Sequence, residues 1–316
     1  MTMRHNSGVS RRQLLAGGAA AWALALAGCT PLRARELALA CGEPGGAYVQ
    51  FGDLLGAALE QRSGIALELQ TTHGSAENLE KLAAGEVDLA LSLADTANER
   101  AATNGFTAVG RVYQNYLQCL VREASDIESL DDLAARRVSI GASGSGSSRT
   151  TRRLLEATNR TSGSDAPITT ELELSVALAA LASGDIDALF WSGGIPTPDI
   201  TRAAADTPLR LVDLEDVVAP LQTAHPREYL GTRVPSGVYG TAGSTATVGI
   251  SNLLMARDDL DRDVARALVD VLVVDASRLI PAGAAGLQYL TLDTLIDTGD
   301  VPLHRAAGER YRELYG

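Results

Sequence analysis

The residues of this chain best suited to chemistry are small hydrogen-bond donors set in glycine-rich turns. Ser143-Gly144-Ser145-Gly146-Ser147-Ser148-Arg149 follows the apolar run Val138–Gly141 and precedes Leu154 and Leu155 at helical spacing. A strand, a Gly/Ser loop and a helix start in that order make an anion cradle. Free N–H groups and the positive end of the helix dipole point at the loop, and serine hydroxyls add donors. Arg149 falls in the first helical turn, where a cation is unfavourable for the helix itself. It is therefore read as meeting a ligand anion, against the plainer alternative of a solvated side chain. The loop lacks both Gly-x-Gly-x-x-Gly and Gly-x-Ser-x-Gly, so neither a dinucleotide fingerprint nor a nucleophile elbow is supported.

Three further turns carry the same character. Gly45-Gly46-Ala47-Tyr48 and His73-Gly74-Ser75 each lie between a strand end and a helix start, with Ser75, three residues before Asn78, placed to cap its helix. Trp191 is followed by Gly193-Gly194 and by Pro196-Thr197. Aromatic residues make up only 4% of the chain, so Tyr48 and Trp191 stand out as pocket walls, with core packing the alternative for Trp191.

The elements that must position these turns alternate. Leu37–Cys41 reads as a short buried strand, and Phe51, Leu54, Leu55, Ala58 and Leu59 as one face of a helix stopped by Gly64. Ile65–Leu69 reads as a strand, and Val87–Leu91 as another after a helix ending at Gly85. Such alternation builds parallel sheets with right-handed crossovers. The string Leu82–Leu91 recurs as Leu181–Phe190, 99 residues on. Each copy ends a helix at Gly and starts a strand around Asp, whose carboxylate is expected to accept backbone hydrogens. Two copies this far apart suggest two lobes of similar design, not a solenoid.

Composition sets outer limits. The 316 residues allow about two domains. A net charge of −12 argues against nucleic acid or an anionic membrane surface as partner. Lys81 is the one lysine, which excludes a P-loop. Residues 1–28 hold Arg4, Arg11 and Arg12, no acid, and then the uncharged run Leu14–Ala27, the pattern of an export signal. Leu26-Ala27-Gly28-Cys29 resembles a lipobox, which would lipidate Cys29, and Arg11-Arg12 resembles a twin-arginine signal. Removing the leader leaves 24 bases against 39 acids, a body of charge −15. The best later apolar stretch, Val264–Ile280, is broken by four charges, so the mature chain is expected to be exported and held to the membrane by lipid alone. Cys41 and Cys119 are read as buried thiols, a disulfide being the alternative. No metal site and no cofactor are expected.

In register, these strings resemble the TAXI family, the solute receptors of TRAP-type transporters. Gly45–Val49 resembles the family's Gly-Gly-Thr-Tyr-Tyr, and His73–Ser75 with Glu77-Asn78-Leu79 its Gly-Gly-Ser and Glu-Asn-Leu. Gly85–Asp88, Gly141–Ser147 and Gly194–Pro198 resemble three more of its elements, and the likeness runs from about Leu37 to Ile280. It implies an α/β, two-lobed periplasmic type II binding fold with hinge strands and a central ligand cleft. The lobes are expected to be 29–115 with 245–316, and 116–244. It implies a monomer that closes on a small organic acid or amino acid and delivers it to a separate membrane permease. Ligand contacts are expected from the four turns, from Asn78, and from Asp95 in the Ala94-Asp95 pair that stands where the family has Ser-Asp. Ala47 and Val49 replace a Thr and a Tyr, which points to a more apolar or larger carboxylate than glutamate. The rivals are a type II receptor of an ABC transporter or of a sensor system, and an exported hydrolase. The last has little to draw on, since no serine sits in a nucleophile context near His73, His225 or His304.

Overall fold

Short apolar runs punctuated by glycine set the architecture. The computed structural model describes residues 36–316. The leader, the Arg11-Arg12 pair and Cys29 lie outside the described residues.

The first lobe opens with β1 (Glu36–Ala40), α1 (Ala47–Ser63), β2 (Ala66–Gln70), α2 (Ser75–Ala84), β3 (Leu89–Leu93) and α3 (Ala94–Asn104). The 17-residue strand β4 (Phe106–Arg122) leads into the second lobe. There follow β5 (Arg137–Ser139), α4 (Gly146–Ala157), β6 (Ile168–Thr170), α5 (Leu174–Ser183), β7 (Ala188–Gly193) and α6 (Pro198–Asp206). Next come β8 (Leu209–Leu211), α7 (Glu215–Ala224) and β9 (Tyr229–Val234). The 13-residue β10 (Thr245–Arg257) returns the chain, and α8 (Arg262–Val274), the single turn α9 (Leu292–Leu295) and α10 (Arg305–Tyr315) close it.

Among the described residues ten strands join one sheet in the order β2-β1-β3-β10-β4-β7-β5-β6, with β8 beside the end of β4 and β9 beside the start of β10. β1, β2 and β3 are parallel, as are β5, β6 and β7, as alternation with helices predicts. β4 and β10 run antiparallel to each other and serve both lobes. Thr245–Ile250 pairs with β9, while Asn252–Ala256 pairs with β3. β4 and β10 are the two hinge strands that connect the lobes. Period-2 alternation divides the central strands between two apolar layers. Leu37, Leu39 and Cys41 pack with Phe51, Leu55 and Leu268 on one face of the first lobe. Ala40 and Ala90 join Leu79 and Leu82 on the other. In the second lobe, Leu117, Cys119 and Val121 join Leu154 and Phe190, and Leu120 joins Leu178 and Trp191.

The repeated string performs one task twice. Gly85 and Gly184 end their helices in the left-handed region, at φ 73° and 84°. Asp88 then accepts the N–H of Ala38 at 2.9 Å, and Asp187 that of Arg137 at 2.8 Å, each tying its strand to the parallel neighbour. Cys41 and Cys119 are free and fully buried. No helix among the described residues is long and apolar enough to cross a membrane.

Two local expectations change. The strand expected at Val87–Leu91 runs from Leu89 to Leu93, because Val87 and Asp88 form the turn that the Asp88 carboxylate anchors. Ser75 does not cap α2. Gly74 occupies the cap at φ 116°, and the Ser75 hydroxyl is used by β3 instead.

Candidate functional site

Helices that follow parallel strands start at the strands' carboxyl ends, so their N-termini face one edge of the sheet. The two lobes turn these edges toward each other. As a result α1 and α2 from the first lobe, and α4 from the second, begin at the same small cavity. Gly46, Ala47, Tyr48, His73, Gly74 and Ser75 line one side, and Ser145, Gly146 and Ser147 the other. Leu93, Asn115, Trp191, Ser192 and Gly193 complete it, together with Gly42 and Glu43. Its volume is about 50 Å³, room for one or two water-sized groups between the lobes as they stand.

The lining is tightly keyed. Ser75 Oγ accepts the N–H of Leu93 at 3.0 Å and shares a hydrogen bond with the Tyr48 hydroxyl at 3.1 Å. Tyr48 is buried, and that burial holds its phenol neutral by pushing its pKa up. Ser145 caps α4 by accepting the N–H of Ser148 at 3.1 Å. Ser147 Oγ accepts the N–H of Ser192 at 2.8 Å, fixing the end of β7 to the start of α4. Helix geometry gives the N–H groups of Gly146 and Ser147 no carbonyl partner within α4. The hydroxyl of Ser192, a residue only 7% exposed, is buried without a hydrogen-bond partner. Asn115 donates to Ser192 O at 3.1 Å and accepts from Asn252 at 2.9 Å, so a polar pair on the two hinge strands supports the floor.

Glu43 is the charged group the sequence expectations missed. Oε2 accepts the N–H of Leu174 at 3.0 Å across the lobe junction, and Oε1 is buried with no hydrogen-bond partner. Burial is the main cause that raises its pKa. The available signal was an acid inside a turn otherwise made of Gly42, Pro44, Gly45 and Gly46. Asn115 is a second missed residue, one of several polar side chains within β4.

Several expected contacts are placed elsewhere. Arg149 points out of the cleft and pairs with Glu99 of α3, which explains a cation in a first helical turn without a ligand. Asp95 is fully buried and accepts from Thr96, Thr150 and Tyr229 at 2.9–3.0 Å. The amide of Asn78 donates to Cys41 O and Leu91 O, bracing β1 against β3. Ser148 donates to Glu171 at 2.7 Å, and Ser143 is exposed outside the cavity. Gly144 lines the outer groove with Arg149. Gly45, at φ 78°, lies against Asp199 of α6. His73 sits exposed at the rim, its Nδ1 3.7 Å from Glu173.

Gly194, Pro196 and Thr197 line a second cavity beside the first, about 520 Å³ and walled by Phe51, Tyr113, Ile195 and Pro281. Ala47 borders both. A side-chain carbon on Gly194 would stand 3.1 Å from the Ala47 methyl, so position 194 packs closely on Ala47. Thr197 is held by Trp191 Nε1 at 3.2 Å and by the Tyr239 hydroxyl, which accepts its N–H at 2.8 Å. Among the described residues no group of three or more His, Cys, Asp or Glu side chains is placed to hold a metal.

A family model described as the NMT1-like family matches residues 39–314. Among solved structures, an ancestral arginine-binding protein bound to arginine is similar at 15% identity and TM-score 0.51, over 78% of this chain and 95% of that one. A candidate L-cystine ABC transporter from Listeria monocytogenes gives 15% and 0.51, over 78% and 93%. XAC2383 from Xanthomonas citri, bound to ATP, gives 14% and 0.50, over 89% and 96%. These likenesses show the fold, the two-lobed type II architecture of periplasmic binding proteins.

Proposed function

The chain belongs to the NMT1-like family, and on that premise we propose that it is an extracytoplasmic solute receptor. It captures a small organic acid or amino acid between its lobes and delivers it to a separate membrane permease. One observation carries this: three helix N-termini from two lobes converge on a single cavity lined by Ser192, whose buried hydroxyl has no hydrogen-bond partner. Such an arrangement favours an anionic group, and it exists only when the lobes are together. Solute binding then stabilises closure by its differential affinity for the closed state. The contacts assigned to the solute are Gly46, Ala47, Tyr48, His73, Gly74, Ser75, Ser145, Gly146, Ser147, Trp191, Ser192 and Gly193. Ala47, together with the second cavity that it also borders, supports a solute larger or more apolar than glutamate.

The lobes are taken as 29–115 with 245–316, and 116–244, in a monomeric protein exported as a lipoprotein anchored at Cys29, with Arg11-Arg12 directing twin-arginine export. For the permease, the Listeria structure supports an ABC transporter. The five strings that resemble TAXI receptors support a TRAP permease as the second reading. Mass spectrometry of protein purified without refolding, followed by calorimetry with the solute found, tests the receptor assignment. Absence of a co-purified solute, together with no heat of binding from organic acids or amino acids, would overturn it. Uptake of that solute in strains lacking either permease type then separates ABC from TRAP. Normal uptake without this protein would favour a sensor role.

A further inference from the structure

Resting on the receptor assignment above, we propose that Glu43 binds a protonated amine of the solute while latching the lobes together, so that the solute carries an ammonium as well as an anionic group. Glu43 lines the cavity from the turn between β1 and α1. Its two oxygens face different tasks. Oε2 crosses from the first lobe to the first residue of α5 in the second, accepting the Leu174 N–H at 3.0 Å. Oε1 is buried and has no donor. A buried carboxylate oxygen without a donor is strongly disfavoured, and at a cavity wall the missing donor is one the solute can bring.

The local field has the same sign preference. The carboxylates of Glu173 and Asp199 lie close enough to Glu43 to raise its pKa further, and His73 is the basic neighbour that opposes them. This wall is therefore negative, whereas the starts of α1, α2 and α4 present positive dipole ends to the same cavity. A dicarboxylate would set an anion against the Glu43 wall, and a simple keto acid a carbonyl oxygen that brings no donor. A molecule with an anionic group and an ammonium satisfies both sides. Because the oxygens of one carboxylate address Leu174 and the solute, amine recognition and lobe closure are coupled through a single group.

The test is calorimetry on matched pairs that differ in the amine: glutamate with 2-oxoglutarate, leucine with 4-methyl-2-oxopentanoate, and phenylalanine with phenylpyruvate. Wild-type protein should prefer the amino acid of the pair it binds by about tenfold or more. Glu43→Gln keeps an oxygen for Leu174 but loses the charge. It should abolish the preference while changing the oxo-acid affinity by about twofold at most. A wild-type preference for the oxo acid overturns the proposal, as does a Gln variant that loses both affinities equally. The wild-type comparison decides whether or not the variant folds. If no pair binds and the co-purified solute is an anion without an amine, the Glu43 assignment fails and the receptor stands. If neither a panel member nor a co-purified solute is found, the receptor assignment itself fails.

Discussion

Gly146 and Ser75 meet across the cleft: a side-chain carbon added at Gly146 would stand 3.0 Å from the Ser75 hydroxyl and 2.5 Å from Leu93 Cδ1. The start of α4 approaches the opposite lobe this closely because position 146 has no side chain. Gly146→Ala should therefore hold the lobes apart. Solute affinity is expected to fall by about tenfold or more, near 1.4 kcal/mol, because closure is resisted. Thermal unfolding without solute should also move to lower temperature, because the bonds from Thr150 and Tyr229 to Asp95 form only when the lobes meet. Calorimetry and a melt on the same preparation check this, and unaltered affinity would show that the lobes need not come this close.

Arg149 is expected to matter little for the solute. It pairs with Glu99 at a partly exposed site outside the cavity. Such pairs contribute roughly 0.2–1 kcal/mol and are screened by salt. Arg149→Ala should weaken binding by less than about fivefold, with the difference shrinking in high salt. A loss of about a hundredfold, measured by calorimetry, would return Arg149 to the site.

Asp95 should behave as a structural group. Its carboxylate accepts from Thr150 and Tyr229 of the second lobe and from Thr96 of its own helix, with full burial. Tyr229→Phe removes one donor to a buried charge and should cost about 1–3 kcal/mol in urea unfolding. Unchanged stability would mean that water or a rearranged neighbour replaces the phenol.

Burial pushes the thiols of Cys41 and Cys119 from 9.0 up to about 12. Both should resist thiol reagents at pH 8 in the native state and react once urea unfolds the chain. The sign of the linkage follows. Between about pH 9 and 12 the folded state keeps protons that the unfolded state releases, so this contribution is full below pH 9 and is lost as pH rises. The urea midpoint should fall over that range, and less steeply in a Cys41→Ala, Cys119→Ala protein. Equal slopes would remove the thiols as the cause.

Residues whose work is local were legible. Gly85 and Gly184 end helices, and Asp88 and Asp187 bind a neighbouring strand, because the requirement sits within a few residues of chain. The turns at Gly46–Tyr48, His73–Ser75 and Ser145–Ser147 were legible as cavity walls for the same reason: a helix start exposes N–H groups wherever it lies. Arg149, Asp95 and Asn78 misled because polar side chains next to such turns can serve either a solute or the scaffold. Their partners Glu99, Tyr229 and Leu91 come from other elements.

The sequence by itself therefore determined the alternating elements, the parallel arrangement within each lobe, the pair of equivalent helix–Gly–strand junctions, and which turns carry donors. These follow from periodicity, glycine conformation and capping, all short-range properties. Only the tertiary structure decided which turns share a cavity and which polar groups the scaffold already satisfies. It also placed one oxygen of Glu43 on Leu174, 131 residues away, and left the other without a donor. Hydrogen-bond satisfaction and burial depend on neighbours that two lobes and two hinge strands bring together, and no local pattern encodes them.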